Sequence, residues 1–507
     1  MIDPRTPVIA GVGQVNQTVD IADLSAVRSP VGLLVDAARL ADAESRGLLS
    51  RCDTIAVVQI GSWRYANPAR IVARELGLEP KSHIMSSIGG NSSQLLANEM
   101  AAAIQRGERD VVLIGGGESL QAKRKARKAG IDLQFEISDD ESCNEIYGMD
   151  KPGTSETENA HGAFAPTQVY PLFETALRAS AGRSVEEHQQ FIGDLWAHFS
   201  AVASQNPHAW SRQAHSAKEI YEATPNNRIV TFPYTKLMNS NIDVDQGAAI
   251  LLSSYGTARA AGIPDEQLVF LHAGADAHDH WYFSSRDSLS ESVAIGVVVR
   301  SALSAASIGL DDIARFDLYS CFPAAVQLAM KSIGLAGLKA GDTRPLTVTG
   351  GLSFGGGPLN NYSTHGIAQM TEVLRADPGS FGLTTALGWY ATKHSCGIWS
   401  TTPPKNGFTR VPESETQALV DATPMRNALI EYSGKATVEA TAVPFTREGE
   451  PRLGIVIALT DAGERVLANV HEPDALKSMC TDGWENRVVD VVNHGGVAAT
   501  NRIGELA

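Results

Sequence analysis

IMSSIGGNSSQLLANEMAAAIQRGERDVVLIGGGESL, residues 84–120, decides the fold. The apolar residues ahead of Gly89 and Gly90 suit a buried strand, and Leu95, Leu96, Met100 and Ile104 then recur at near-helical spacing. Ser92 or Ser93 is expected to cap that helix, because a capping hydroxyl accepts from a first-turn N–H where the helix dipole also favours negative charge. After Gly107, Asp110-Val-Val-Leu-Ile-Gly-Gly-Gly reads as a central parallel strand, apolar on both faces, that ends in a turn needing room for backbone.

The same alternation extends upstream. Val8 to Gly13 predicts a strand, Leu33 to Leu40 an amphipathic helix, Cys52 to Ile60 a strand and Arg70 to Leu76 a short helix, the order of a layered α/β domain. Gly11 and Gly13 lack the rest of a GxGxxG, so the dinucleotide signal is weak. A chain of 507 residues exceeds one core and predicts two or three domains. With Lys+Arg 42 against Asp+Glu 57, the net charge of −15 disfavours a nucleic-acid partner, although a local basic patch has room for one anionic cofactor. Cys52, Cys143, Cys321, Cys396 and Cys480 are widely spaced without a CxxC pair, which predicts reduced thiols and no zinc site. MIDPRTPVIAGVGQVN carries charge too early for a signal peptide and no long apolar run, so a cytoplasmic protein without a membrane partner is expected.

From Ala122 to about Arg228 the pattern breaks into a basic helix (KRKARK), an acidic Ser/Gly-rich run and long helices, which reads as an inserted lobe. A solvated helix face is the plainer account of KRKARK; beside a CoA-type ligand it would meet a phosphate. Ser184 followed by Glu187 is a capping box. Val293 to Ile308 and Phe316 to Ile333 repeat the helix, strand and helix order as a second copy of the βα layer. From about Glu413, Ala436–Val443, Arg452–Leu459, Arg465–Asn469 and Arg487–Val492 predict a small all-β barrel. His278-Asp279-His280 places two histidines on one strand face without a third metal ligand in view, so no metal is expected.

The block at residues 84–120 resembles the nucleophile helix of the thiolase superfamily, in which a strand delivers a cysteine to a helix N-terminus and the next strand ends GG-x-E-S. The likeness runs from near residue 6 to about residue 405 and implies a duplicated thiolase fold, layered α-β-α-β-α. The tail is similar to the OB-like domain of the thiolase-like proteins of type 1. The implied divisions are 1–121 for the first thiolase half, 122–235 for the lobe, 236–408 for the remainder and 413–507 for the OB-like domain.

The resemblance puts Gly90 where the family keeps its nucleophilic cysteine. Tyr319, in Tyr319-Ser-Cys-Phe, stands for the oxyanion-hole His or Asn; Gly357 stands for the activating histidine; Leu387 or Gly388 stands for the second cysteine. Tyr319, His365 and His394 are the catalytic candidates left. A structural hydrogen bond is the plainer role for His365, and Cys396 or Lys393 would serve only in a shifted constellation. Capping accounts for Ser92 and Ser93 better than nucleophilic attack does. Asn239, Ser240, Asn241, Gly356 and Gly357 are implied to line a cleft for CoA or acyl-CoA, with no tightly bound cofactor.

An acyl-CoA-binding protein without cysteine thiolysis is therefore the expectation. The alternatives are a cysteine-independent carbon–carbon lyase using Tyr319, an acyltransferase, and a scaffold that docks a protein partner through its C-terminal domain. The type-1 relatives favour a monomer over a homodimer.

Overall fold

The computed structural model describes residues 2–18, 20, 23, 26–137, 142–335, 344–495 and 500–504. Strands β1 (Pro7–Asn16), β2 (Thr54–Val57), β3 (Ser82–Ser86) and β4 (Val111–Ser119) precede the lobe. The lobe contributes β5 (Glu145–Tyr147), β6 (Ile229–Phe232) and β7 (Tyr234–Thr235). The core resumes with β8 (Asp245–Ser254), β9 (Val269–His278), β10 (Ile313–Asp317), β11 (Phe381–Gly388), β12 (Lys393–Ser400) and β13 (Thr409–Arg410).

β4 is buried along its whole length, as a Val/Leu/Ile/Gly run covered on both faces must be. It runs parallel to β2 on one side and antiparallel to β8 on the other, so the expected parallel neighbour is present on one edge. The first half orders its strands β1-β8-β4-β2-β3, and the second orders them β9-β12-β11-β10. Residues 345 and 346 complete the second set by accepting from the Phe316 and Leu318 N–H groups. The senses match as well: β1–β8 and β9–β12 are antiparallel, while β4–β2 and β11–β10 are parallel. The halves meet where β1 touches β9, at Val8–Phe270 and Ile9–Val269. This is the duplicated thiolase fold.

Helices Ser92–Arg106 and Tyr362–Ala376 pack against each other between the two halves. Helices Pro30–Glu44 and Val293–Ala306 cover β1 and β9 from outside. The second-half counterpart of Ser92–Arg106 is therefore Tyr362–Ala376, not the Val293 segment. The expected serine cap is also replaced. Asn91 stands at the N-cap without a side-chain bond, the Ser92 hydroxyl donates to Ser87 O at 2.9 Å, and Ser93 Oγ accepts from Thr364 at 2.8 Å. Contact with the second half takes the Ser93 hydroxyl, and the strand-to-helix turn itself takes that of Ser92.

Strands β14 (Ala428–Leu429), β15 (Gly434–Pro444), β16 (Gly454–Leu459), β17 (Arg465–Val470), β18 (Val488–Asn493) and β19 (Asn501–Ile503) form the tail. β15, β16, β17, β19 and β18 pair in a closed ring, the expected small barrel. Helix Pro473–Thr481 adds Leu476 and Met479 to its core. The lobe shares this sheet, because β6 pairs with β15 at Phe232–Val443. Arg465, fully buried, pairs with Glu439 inside the barrel at 2.8 Å and fixes the barrel to the body through Ser284 O at 3.1 Å. Among the described residues no helix is long and apolar enough to cross a membrane.

Candidate functional site

The turn between β3 and helix Ser92–Arg106 opens on a cavity of about 460 Å³. Gly90 comes from this turn, Tyr319 and Cys321 from the loop after β10, Gly357 from the glycine loop ahead of Tyr362–Ala376, Leu387 from the end of β11, and Asn239 and Ser240 from the stretch before β8. Residues far apart in sequence thus converge because the two halves face each other across their central helices.

Glycine is required at position 90 by close approach. A Cβ there would overlap the Tyr319 hydroxyl and stand 2.5 Å from Leu387 O. The tyrosine ring is set by a 2.9 Å bond from its own N–H to Thr385 Oγ1 and by an edge contact with Tyr362 at 5.3 Å between centroids. Among the described residues its hydroxyl has no hydrogen-bond partner, and neither does the Gly90 N–H. Gly357 is constrained in the same way, since a Cβ would overlap Ser240 Oγ. The Gly357 N–H donates to Asn241 O at 2.9 Å, and the Ser240 N–H to Cys321 O at 3.1 Å, so the two loops are tied together. Gly356 and Asn241 stand behind this wall, Gly356 against the Gln246 amide.

The titratable groups on the wall all keep their protons at neutral pH. Burial raises the Tyr319 and Tyr170 phenols well above the ordinary tyrosine range, and pushes Tyr390 and the Cys321 thiol up to about 12. The site presents hydrogen-bond donors on an otherwise largely apolar wall that includes Ile88, Phe322, Leu352 and Trp389.

His365 and His394 are not on this wall. His365 is buried with Nδ1 2.9 Å from Gln14 Oε1, and burial lowers its pKa to about 3. His394 has Nε2 3.0 Å from Ala391 O, and burial lowers it to about 4. It faces a second cavity of about 380 Å³ beyond the same turn, shared with Asn91, Glu99, Asp276 and Lys393. The Lys393 ammonium donates to Ile88 O and, at 2.9 Å, to Met149 O, and burial brings its pKa down to about 8. Gly388 lies off the first cavity, against Asn91. Cys396 points to the outer helix Val293–Ala306, with Sγ 3.3 Å from Val298 O. His278 and His280 meet separate partners, Asp279 O at 2.9 Å and Thr423 Oγ1 at 3.0 Å, and no metal-ligand cluster occurs among the described residues.

Sequence reasoning missed Asp317. Its buried carboxylate accepts from the Thr347 hydroxyl at 2.9 Å, the Val348 N–H at 3.1 Å and the Tyr362 hydroxyl at 3.2 Å, which holds the glycine loop beside the ring that orients Tyr319. An aspartate ending an apolar strand just before Tyr319 was the available signal.

The family model of the thiolase-like protein type 1 additional C-terminal domain matches residues 415–496. The crystal structure of a monomeric SCP2-thiolase-like protein type 1 from Mycobacterium smegmatis is 34% identical, covers 100% of both chains and superposes with a TM-score of 0.82. Human mitochondrial 3-ketoacyl-CoA thiolase in complex with CoA is 15% identical with a TM-score of 0.56, over 79% of this chain and 100% of that one. The Ltp2–ChsH2(DUF35) aldolase is 18% identical with a TM-score of 0.58, over 79% of this chain and 99% of that one. No curated protein matches the chain.

Proposed function

Because this chain belongs to the SCP2-thiolase-like protein type 1 family, we propose that it binds CoA or an acyl-CoA in the Tyr319 cavity without thiolysis through a cysteine-bound acyl group. The observation that carries this reading is the Tyr319 hydroxyl, which fills the space that a side chain on residue 90 would need. Thiolysis needs a nucleophile and a base to activate it. Glycine stands at 90 and 357, and no carboxylate or imidazole lines the cavity among the described residues. What remains is a phenol and the Gly90 N–H at a helix N-terminus, donors suited to a thioester carbonyl oxygen. Donors without a base describe a binding site.

The aldolase neighbour gives a second reading weight, a retro-aldol lyase in which Tyr319 serves as acid. It needs a base that neither His365 nor His394 supplies from its present position. Acyltransfer meets the same obstacle.

The C-terminal barrel serves this site as a brace. Helix Pro166–Ser180 lends Pro166, Thr167 and Tyr170 to the cavity, while its Thr175 exchanges two 2.9 Å bonds with Thr441 and its Arg178 pairs with Glu485. That seating favours the brace over a free docking module, and supports 413–507 as a unit that acts with the lobe. A monomer is supported by β5, which occupies the outer edge of β3 and leaves that edge unavailable to a second copy. Five free thiols fit a reducing, cytoplasmic setting.

Mass spectrometry after incubation with free CoA and a panel of 3-oxo- and 3-hydroxyacyl-CoAs tests the proposal. Intact thioesters retained on the protein are expected. A shortened acyl-CoA would establish the lyase, a covalent acyl adduct would restore thiolase-type chemistry, and absence of retained thioester would remove CoA as the ligand.

A further inference from the structure

Helix Leu120–Lys128 follows β4 and carries Lys123, Arg124, Lys125, Arg127 and Lys128 within nine residues. Arg124 pairs with Asp243 at 2.6 Å, whereas Lys123, Arg127 and Lys128 have no ion-pair partner among the described residues. In a chain of net charge −15 this is a local excess of positive charge that favours an anion. Between the helix and Trp63 runs a groove of about 350 Å³, lined also by Ile131 and Asp132. Phe135 steadies the Trp63 indole edge-on at 5.0 Å between centroids, and Lys123 lies 5.8 Å over the ring while donating to Ser62 O at 2.8 Å.

The groove combines a fixed aromatic wall, two cations and one carboxylate. A flat base stacks on an indole, phosphate oxygens accept from lysine and arginine, and an exocyclic amine donates to a carboxylate. That set fits an adenine nucleotide better than inorganic phosphate, which would use the cations alone and face Asp132 unfavourably.

The segment that carries Trp63 also packs on the wall of the Tyr319 cavity. Gly61, two residues before Trp63, lies so close that a Cβ would come 2.5 Å from Leu359 Cδ1, a cavity-wall side chain. On the other side Arg124 holds Asp243, the neighbour of the cavity residue Ile242. We infer that the groove between Trp63 and helix Leu120–Lys128 takes the nucleotide end of the same CoA thioester whose acyl end reaches Tyr319. This inference rests on the thioester reading of the cavity.

The test compares decanoyl-CoA with decanoyl-pantetheine, which lacks the nucleotide, by calorimetry on the full chain and on the double variant Lys123→Gln/Arg127→Gln. The variant should lose about tenfold or more in affinity for decanoyl-CoA and none for decanoyl-pantetheine. In the unaltered protein 3′,5′-ADP should displace decanoyl-CoA, a measurement that does not depend on the variant's folding. Undiminished decanoyl-CoA binding by the variant, or failure of 3′,5′-ADP to compete, overturns the groove while leaving the cavity reading intact. If the unaltered protein binds neither thioester, the cavity reading falls and takes the groove with it.

Discussion

One side of the Gly89–Gly90 turn is walled by Ile88, Leu359, Leu387 and Trp389 around the Tyr319 hydroxyl, and the other carries Asn91, Glu99, Asp276, Lys393 and His394. The second side holds a carboxylate, an imidazole and an ammonium whose titration burial displaces: it raises Asp276 to about 6 and lowers His394 to about 4 and Lys393 to about 8. Such clusters often mark catalysis. Here the charged members hold structure: Asp276 receives Asn98 Nδ2 at 3.2 Å and Arg410 at 3.3 Å, and Lys393 ties down the Ile88 and Met149 carbonyls, while His394 Nδ1 and Asn91 Oδ1 are buried without a partner among the described residues. The polar side builds the turn, and the apolar side uses it. Displaced titration is the cost of burying that scaffold.

The largest effect is expected from Gly90→Ala, where a methyl group would be driven into Tyr319 and Leu387 O. Overpacking of this kind costs about 1–3 kcal/mol, and part of Leu387 cannot yield because it is backbone. Denaturant unfolding should show the loss; an unchanged midpoint would mean that Tyr319 does not fill the space over residue 90.

Lys393→Met probes the other side. Two carbonyls lose their donor, while relief of a buried ammonium offsets some of the loss, so about 1–2 kcal/mol of destabilisation is expected. The pH dependence identifies the cause. Folding lowers Lys393 from 10.5 to about 8, so between those values the unfolded chain binds more protons and this group's contribution to stability rises with pH. Below about pH 8 the full cost of burying the charge is present. The stability difference between wild type and variant should therefore widen in favour of wild type from about pH 8 to 10.5. A flat difference would show that Lys393 is not the buried cation of the polar side.

Sequence carried the fold further than the site. A continuous apolar run closing on glycines located β4, and near-helical apolar spacing located helix Ser92–Arg106, because the first is buried on both faces and the second buries the side chains that recur at its own period. Positions 90, 319, 357 and 387 were named through family motifs, and the fold does bring them to one cavity. The facing of His365 was not legible: its place on a helix fixes a direction only once the partner is known, and the partner is Gln14 on β1. The same limit hid β6, whose pairing with β15 is a contact between the lobe and the tail. Helix Pro473–Thr481 was within reach, since Pro473 at its first turn and Leu476 with Met479 three residues apart are a helix start and an apolar face.

The smallest change in stability is expected from Tyr319→Phe, and it separates the two sides most sharply. Its hydroxyl has no partner among the described residues, so deleting it should move stability by no more than about 0.5 kcal/mol. The ring, its contact with Tyr362 and the crowding over Gly90 remain. A thioester carbonyl that takes its hydrogen bond from this phenol would lose about 0.5–1.5 kcal/mol, read in calorimetry as a weakening of roughly two- to tenfold. Lys393→Met should show the reverse, lower stability with thioester affinity retained as long as the turn holds its shape. If Tyr319→Phe left affinity untouched while making the protein easier to unfold, the hydroxyl would belong to the scaffold, and the division between a side that builds the turn and a side that uses it would fail.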